Sequence, residues 1–272
     1  MTESTFIMVV VLYKTRAADS LSLITLGDNL PANSKLVVWD NSPDALHAAD
    51  LKWIHARFPN SEYIHTPENS SLAKVYNQVY VTNTQYDYFL ILDQDTTLTT
   101  DFFVALRNAI ARHPGINLFL PLVCHGHQVV SPADFRFYRG VYWTQRQTGL
   151  VTAQNRLAIA SGMTIRMEYL KEKANRFDER LKLYGVDDKF ILDYGKENQY
   201  FFVLDYVLTH QLSMFEQEDV ERKTMRFIEH KHAQKAVCKS VSLLSWVMIS
   251  VMLFIKSIAW AFKWKDIRII FK

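Results

Sequence analysis

The chain has 272 residues, of which 49% are hydrophobic and 22% charged, and its formal net charge is +3. These proportions are typical of a globular protein with a full core and exclude a disordered chain. The small net charge gives no indication of a nucleic-acid partner. Two cysteines, Cys124 and Cys238, provide neither a disulfide framework nor zinc-site spacing, which fits a reducing compartment. We expect one large domain, or one domain with an appendage.

Strands and helices alternate in the first part of the chain. The apolar run that opens it follows Glu3 rather than a basic segment, which indicates a buried strand and not a signal peptide. Strands are predicted over 6–13, 35–39, 63–65 and 88–92, and helices over 17–26, 46–58, 71–83 and 101–112. Ser70 or Ser71 is the expected N-cap of the third helix. This alternation predicts a parallel sheet with right-handed crossovers. Since no Gly-x-Gly-x-x-Gly and no phosphate-binding glycine loop follows the first strand, we expect neither a dinucleotide site nor a P-loop.

The fourth predicted strand, 88–92, ends in Asp93-Gln94-Asp95. Ligands of open α/β sheets bind outside the carboxyl ends of the strands, where these two carboxylates lie. Carboxylates so close together repel each other and lose hydration unless a cation or a hydrogen-bond donor compensates them. The motif alone also fits a turn or a helix N-cap, so both interpretations stay open.

The second part of the chain is less regular. Residues 117–160 contain several prolines and glycines and predict an irregular, hairpin-like region. A strand over 157–165 is interrupted at Ser161-Gly162, where the glycine permits either a close approach of a ligand or a bulge. Further elements are expected as a helix over 166–175, a helix beginning at Asp187 and a last strand over 200–204.

The C-terminal region changes character twice. Residues 216–235 are highly charged and predict a solvated helix, whereas the run 240–255 carries no charge. That run is shorter than the roughly 20 residues that cross a bilayer core. Serines at 242, 250 and 257 share one helical face with Lys239. We expect an amphipathic helix in the membrane interface; a spanning helix over 240–262 and a helix docked on a protein partner are the alternatives.

Charge and aromatic residues support the membrane interpretation. The basic residues after position 235 outnumber the single acid, Asp266; they are Lys239, Lys256, Lys263, Lys265, Arg268 and Lys272. Such a local excess favours contact with anionic lipid. The aromatic residues of the same region are those that prefer the bilayer interface, namely Trp246, Trp260, Phe262 and Trp264.

Seven motifs, in order, give the chain a family resemblance over residues 5–215. They are VVVLYK, VVWDNS, ENSSLAKVYNQ, ILDQDT, ASGMTIR, FDERLKLYGVDD and VLTHQLS. Together they resemble the inverting family 2 glycosyltransferases of the GT-A fold, particularly the bacterial rhamnosyltransferase-like branch. The resemblance implies an α/β GT-A domain over 1–215, with a mostly parallel sheet flanked by helices, and a membrane-associating helical segment over 216–272.

The activity implied by this resemblance is metal-dependent transfer of a sugar from a nucleotide-diphospho-sugar. The donor would be dTDP-rhamnose or a UDP-sugar such as UDP-galactofuranose. The acceptor would be a lipid-linked (polyprenyl-diphosphate) glycan of a cell-surface polysaccharide, of the O-antigen or capsule type. The protein would work on the cytoplasmic face of the bacterial inner membrane, as a peripheral or monotopic protein.

Donor binding is assigned by the same resemblance to two stretches. Asp40 would accept a hydrogen bond from the imide N–H of a uracil or thymine base, as an acceptor-only carboxylate can. A turn-forming role for Asp40 is the alternative. Asn69, Ala73 and Asn77 match the helix that shapes the base or ribose pocket.

The remaining roles concern a metal and a base. Asp95 would bind Mn²⁺ or Mg²⁺, with Asp93 reaching the ribose or the metal, and His210 would complete the metal shell unless it is a core or capping histidine. Asp187 matches the catalytic base, with Asp188 the alternative if the register differs by one. Inversion needs one carboxylate to deprotonate the acceptor hydroxyl. Asp187 could also cap its helix.

The sequence departs from the family pattern at two positions, and two other functions are alternatives to a glycosyltransferase. Lys189 and Asp193 stand where relatives often have an acidic residue and an arginine, which leaves acceptor or phosphate contacts open. A nucleotidyltransferase would also carry an Asp pair on an α/β sheet, but it would usually have a basic glycine-rich loop near the N-terminus. A non-catalytic, nucleotide-sugar-binding membrane partner of a polysaccharide synthase complex is the second alternative.

Overall fold

The computed structural model describes residues 4–136, 138–173, 176–210 and 220–271, without the side chains of residues 209, 210 and 222. The strands are β1 (Phe6–Leu12), β2 (Lys35–Asp40), β3 (Ser61–His65), β4 (Tyr88–Asp93), β5 (Thr96–Thr97), β6 (Leu118–His125), β7 (Gln128–Ser131), β8 (Ala133–Arg136), β9 (Arg139–Tyr142), β10 (Gly149–Thr152), β11 (Arg156–Leu157), β12 (Thr164–Arg166) and β13 (Tyr200–His210). The helices are α1 (Leu21–Gly27), α2 (Ala48–Arg57), α3 (Leu72–Thr82), α4 (Thr100–Arg112), α5 (Met167–Lys171), α6 (Val186–Glu197), α7 (Val220–Val241), α8 (Leu243–Trp264) and α9 (Arg268–Phe271).

One large sheet organises the fold, in the order β10-β13-β6-β12-β4-β1-β2-β3. Strands β3, β2, β1 and β4 run parallel to one another. Strand β12 is inserted antiparallel between β4 and β6, and β13 returns parallel to β6. Strands β8, β9 and β11 form a separate small sheet. The predicted α/β class with a mostly parallel sheet and flanking helices is confirmed.

Strand β1, and strand β4 up to its last residue Asp93, are apolar because both faces of the sheet are covered. Successive residues of a strand point to opposite faces. Accordingly, Val9 and Ile91 enter one hydrophobic core, while Met8 and Leu90 enter the other. All four side chains are 0% exposed. This two-sided burial carries the strand ends to a common edge, where the candidate site lies.

The helix that precedes the central strand begins where the sequence predicts it. The hydroxyl of Ser71 accepts a hydrogen bond from the Lys74 N–H at 3.2 Å, which caps α3. Ser70 and Ser71 were the two candidate caps, and Ser71 is the one used. The prediction of α6 from Asp187 is wrong by one residue, because Gly185 in the left-handed region caps the helix and Val186 begins it.

Strand β6 is the main element that the sequence prediction missed. Its Pro121 argued against a central strand, since proline cannot donate to a ladder. Strand β12 pairs with β6 only at Leu118 and Phe119, so Pro121 lies beyond that ladder. The glycine of Ser161-Gly162 serves this packing: at a φ of +78°, a Cβ on Gly162 would lie 2.8 Å from the Pro121 ring. The absence of a side chain at Gly162 therefore leaves room for the ring of Pro121.

Strand β13 is longer than the predicted 200–204. It continues past Asp205 to His210 through an irregularity between Val203 and Val207, where the register with β6 shifts. Such bulges interrupt the alternation of apolar and polar residues by which a strand is recognised.

The C-terminal helices differ from the prediction in their boundaries and in their packing. Helix α7 is not a solvated helix, because one side of it is buried against the rest of the protein. Its buried residues are Thr224, Phe227, Ile228, Lys231, Ala233, Val237 and Cys238. A charged sequence can hide such a stripe, since the other face of α7 holds its many exposed charges.

The uncharged run 240–255 is divided between two helices. The hydroxyl of Ser242 accepts a hydrogen bond from the Ser245 N–H at 3.0 Å and so begins α8, while Lys239 belongs to α7. The predicted polar face of Lys239 with the serines is therefore wrong. The buried stripe of α8 consists of Ser245, Ile249, Leu253, Ser257 and Ala261. The predicted boundary between residues 215 and 216 lies outside the described residues.

Candidate functional site

The turn after β4 holds the two carboxylates of the Asp93-Gln94-Asp95 motif. Both side chains are partly exposed at the carboxyl edge of the sheet. The turn is anchored by the start of α1, where the Ser20 hydroxyl donates to the Gln94 carbonyl at 2.8 Å. The Ser22 hydroxyl donates to the carbonyls of Asp93 and Thr96. Nothing in the sequence linked these serines to the motif, because the contact crosses the sheet edge.

Asp93 has a further partner in Ser161. The Ser161 hydroxyl donates to a carboxylate oxygen of Asp93, and Ser161 is completely buried. The Gly162 N–H donates to the Ile91 carbonyl at 2.8 Å, which holds Ser161 against the strand end. The sequence marked Ser161-Gly162 as an interruption of a strand but did not identify the serine as a neighbour of Asp93.

Asp187 and Asp188 occupy the first turn of α6, on the other side of the same cavity. The cavity has a volume of about 400 Å³, and Asp93, Asp187 and Asp188 all contribute to its lining. The Asp188 N–H donates to the Asp187 carboxylate at 2.9 Å. The structure therefore brings the central-strand carboxylate and the predicted base together, as expected from their positions at a strand end and a helix start.

Burial, together with the nearby charge of Asp93, raises the pKa of Asp187 to about 6, although backbone hydrogen bonds from Asp188, Asp187 and Ala160 oppose the shift. Burial also raises the pKa of Asp188 well above its usual range, with the charge of Asp187 adding to it. The backbone donors stabilise the ionised form of Asp187 in particular. Burial therefore favours the protonated form of both carboxyl groups, and the two adjacent side chains titrate as a pair.

A divalent cation fits the carboxylates of this edge. Carboxylate oxygens are the ligands that Mg²⁺ and Mn²⁺ prefer, and Mg²⁺ is often bound by one or two carboxylates together with substrate phosphates. Among the described side chains, no group of three His, Cys, Asp or Glu residues is arranged to hold a metal ion. The side chain of His210 lies outside the described residues. Its backbone pairs with Thr96, which directly follows Asp95.

Asp40 is completely buried at the end of β2. One carboxylate oxygen accepts from the Ser42 N–H at 3.0 Å, which forms an Asx turn, and the other accepts from the Tyr63 hydroxyl at 2.7 Å. Burial and then the hydrogen bond to Asp40 raise the pKa of Tyr63 to about 12. The turn-forming alternative describes the observed contacts of Asp40, and a direct contact with a nucleotide base would require this cover to move.

The three residues that were predicted to shape the base or ribose pocket, Asn69, Ala73 and Asn77, do not line the cavity. Asn69 is exposed and adopts a φ of +55° in the turn before α3, a conformation that asparagine tolerates. Ala73 is buried in the core. Asn77 is buried and bonds both backbone groups of Phe177, accepting at 3.0 Å and donating at 2.8 Å. From α3, Leu72 and Tyr76 are the residues that line the cavity.

Lys189 and Asp193, the positions that depart from the family pattern, pair with each other on α6. Asp193 also accepts from Lys196 at 2.6 Å, and Lys189 lies 3.8 Å from Asp178. This ion-pair network lies outside the residues that line the cavity.

No family model matches the chain, and no curated protein matches it either. Solved structures do. S. aureus TarS, residues 1–349, has a TM-score of 0.59 at 13% identity, over 98% of this chain and 89% of that one. GalNAc-T7, solved with UDP, GalNAc and Mn²⁺, has a TM-score of 0.55 at 12% identity, over 76% and 44%.

The mannosyltransferase PcManGT from Pyrobaculum calidifontis, solved with GDP-Man and Mn²⁺, has a TM-score of 0.54 at 14% identity, over 87% of this chain and 63% of that one. These neighbours are glycosyltransferases of the GT-A type. At such low sequence identity the structural similarity is evidence for the fold alone. The sheet order and the carboxylates at the edge of the sheet are independent support for the same fold. The chain has the GT-A glycosyltransferase fold.

Proposed function

We propose that the protein is a metal-dependent inverting glycosyltransferase that uses a nucleotide-diphospho-sugar. The observation that carries this proposal is the shared cavity of Asp93 and Asp187. A carboxylate at the central strand end suits the leaving diphosphate side of a donor. A second carboxylate with a pKa near 6 suits a general base that works close to neutral pH.

Asp187 is the base in this mechanism. It removes the proton of the acceptor hydroxyl as that oxygen attacks the anomeric carbon opposite the leaving nucleotide, which inverts the configuration. The backbone N–H of Asp188 donates to the Asp187 carboxylate and fixes its orientation. The site holds donor and acceptor in line, and this positioning supplies much of the rate.

Asp93 and Asp95 would hold Mn²⁺ or Mg²⁺, with His210 proposed as a third ligand, and the cation would neutralise the charge that grows on the leaving diphosphate. The neighbours solved with Mn²⁺ support this assignment. Ser161 orients the Asp93 carboxylate, as partners of metal ligands commonly do. For the base pocket, we propose that Asp40 acts by holding the loop after β2 and Tyr63 in place.

The proposed donor is dTDP-rhamnose or a UDP-sugar such as UDP-galactofuranose. S. aureus TarS has been solved with UDP and with UDP-GlcNAc, which supports a pyrimidine nucleotide donor. Incubation of the purified protein with dTDP-, UDP- and GDP-sugars in the presence of Mn²⁺ tests the proposal. Release of a nucleoside diphosphate from one of them is expected; a protein that hydrolyses and transfers none of them would contradict it.

The proposed acceptor is a lipid-linked glycan, and α8 is the proposed membrane contact. Helix α8 is long and apolar enough to cross a membrane. Helix α8, however, lies beside α7 along its length. Near one end Cys238 packs with Ile249 and Leu253, and near the other the ring centroids of Phe227 and Trp260 are 4.4 Å apart. Crossing the bilayer would carry the charged face of α7 into hydrocarbon, which costs several kcal/mol per charge. We therefore favour a helix that lies in the plane of the cytoplasmic membrane surface.

The alternative of a non-catalytic binding partner is separated from the enzyme by Asp187→Asn. An enzyme loses transfer and retains nucleotide binding, because the amide cannot take the proton but fills the same space. A binding partner would keep its biological effect in a strain that carries the substitution.

A further inference from the structure

Part of the cavity wall belongs to α7, a helix beyond the predicted catalytic domain. Gly185, which caps α6 at a φ of +74°, lies directly under this helix. A Cβ on Gly185 would come within 3.2 Å of Ala233 and of Val237. Helix α7 therefore packs directly against the turn that precedes Asp187.

Polar and aromatic groups line this part of the cavity. His230 stacks on Tyr184, with the ring centroids 3.8 Å apart and the planes 25° from parallel. Both rings contribute to the lining, and Gln234 follows His230 by one turn of α7. Burial lowers the pKa of His230, and the nearby charges of Arg226 and Lys256 lower it further, so the ring is neutral at pH 7. A flat neutral face beside an amide and a carboxylate suits the hydroxyl groups and the apolar face of a sugar.

The cavity continues from these groups into an apolar region. Phe135 and Tyr138, from the β8–β9 hairpin, line the cavity and also pack on the cluster of Cys238, Ile249 and Leu253. Cys238 belongs to α7, and Ile249 and Leu253 belong to the buried side of α8. The outer side of α8 exposes a set of large apolar residues: Leu243, Leu244, Val247, Met248, Val251, Met252, Phe254 and Ile255. An apolar path therefore leads from the carboxylates to the helix proposed to lie on the membrane.

We propose that α7 forms an acceptor subsite for an amphiphile, a sugar attached to an apolar chain. The sugar lies between Asp187 and the Tyr184–His230 pair, with Gln234 as a specificity-determining contact, and the apolar chain leaves past Phe135 and Tyr138 toward α8. The inference rests on the proposed function, because it takes Asp187 as the base. A cavity of about 400 Å³ has the size of a small-molecule site.

Binding of farnesyl-diphosphate-linked N-acetylglucosamine, below its micelle-forming concentration, tests this subsite in the full chain. In Gln234→Trp, the indole fills the cavity from α7, and affinity for this probe falls by about 10-fold or more. The matched control is His232→Trp, which puts the same side chain on an exposed position of the same helix. It leaves the affinity unchanged. Unlinked N-acetylglucosamine binds more weakly than the amphiphile to the wild-type protein.

Binding of UDP, dTDP and GDP is measured on the same samples. If Gln234→Trp retains nucleotide binding and loses the amphiphile, the subsite is supported. If the amphiphile binds both Trp variants equally, or does not bind the wild-type protein, the subsite is wrong and the proposed function stands. If the wild-type protein binds no nucleotide and hydrolyses no nucleotide-sugar, the proposed function fails.

A second pair of variants, His230→Ala and His230→Phe, separates stacking from polar contact. His230→Phe retains the affinity for the amphiphile that His230→Ala loses if the ring face is the contact.

Discussion

The hydroxyl of Ser161 donates a hydrogen bond to the carboxylate of Asp93, although 68 positions separate the two residues in the chain. Strand β12 is inserted beside β4 and brings Ser161 to the end of that strand. The pair therefore links a serine in an irregular stretch to the first carboxylate of the Asp-x-Asp motif.

Ser161→Ala is expected to weaken cation binding about 10-fold, because a proposed metal ligand loses the partner that orients it. Mn²⁺ binding in the presence of saturating UDP, followed by electron paramagnetic resonance, measures the effect. Thr164→Ala, which removes a buried hydroxyl from β12 three residues after Ser161, is the control. Equal Mn²⁺ affinity in wild type and Ser161→Ala would show that the contact does not orient a ligand.

Asp187→Asn is expected to lower the rate of transfer by about 10²- to 10⁴-fold, since general-base catalysis contributes about that much. Nucleotide affinity should stay near that of the wild type. Asp193→Asn is the comparison on the same helix, outside the residues that line the cavity, and should retain most of the turnover. A rate for Asp187→Asn within a few-fold of wild type would rule out Asp187 as the base.

The pKa of Asp187 also predicts a stability effect. The folded-state pKa of about 6 lies above the ordinary aspartate pKa of 3.8, so folding takes up a proton between these two pH values. Stability from this group is fully present below pH 3.8 and is lost as the pH rises through 6. Since asparagine does not ionise, Asp187→Asn avoids this loss of stability and should raise the free energy of unfolding at pH 7.5 by about 3 kcal/mol. Urea unfolding at pH 5 and pH 7.5 tests this; a variant less stable than wild type at pH 7.5 would contradict it.

Asn77→Ala is expected to destabilise the protein by about 2–4 kcal/mol, because both backbone groups of Phe177 lose their buried partner. Gln78→Ala, at the exposed neighbouring position, should change stability by less than about 0.5 kcal/mol. Thermal unfolding measures both. Nucleotide affinity of the folded Asn77→Ala protein should be unchanged; a selective loss of affinity would instead assign Asn77 to the donor pocket.

Val251→Glu is expected to reduce binding to vesicles that contain phosphatidylglycerol, because it puts a charge on the outer face of α8. The matched control is Val104→Glu on α4, since the two valines are 55% and 52% exposed. Co-flotation with the vesicles measures the bound fraction. Equal flotation of both variants would place the membrane contact elsewhere.

Short stretches of sequence correctly predicted the strands that are buried on both faces and the start of one helix. The apolar runs of β1 and β4 and the cap at Ser71 are local signals, and each was recognised from a few residues. Pro121 misled the prediction of β6, since its tolerance depends on where the short strand β12 stops pairing. The shift in β13 near Asp205 disguised the length of that strand in the same way.

Contacts between distant parts of the chain account for the rest of the candidate site. The Asp-x-Asp motif and Asp187 could be proposed from the sequence, but Ser161 and the serines of α1 could not, because only the sheet brings them to the motif. Asn77 looked like a pocket residue, whereas its amide matches the backbone of Phe177. The buried side of α7 was hidden among its charges.

The close fit of Gly185 under Ala233 and Val237 has a consequence for synthesis of the protein. The turn into Asp187 emerges from the ribosome well before the helix that covers it, so the sheet and its carboxylates can form while one side of the cavity is still open to water. Completion of the site then coincides with the arrival of the segment that carries the apolar face of α8. The same docking step that closes the cavity also buries one side of α8 and leaves its apolar side on the protein surface, so the site and that surface are completed together.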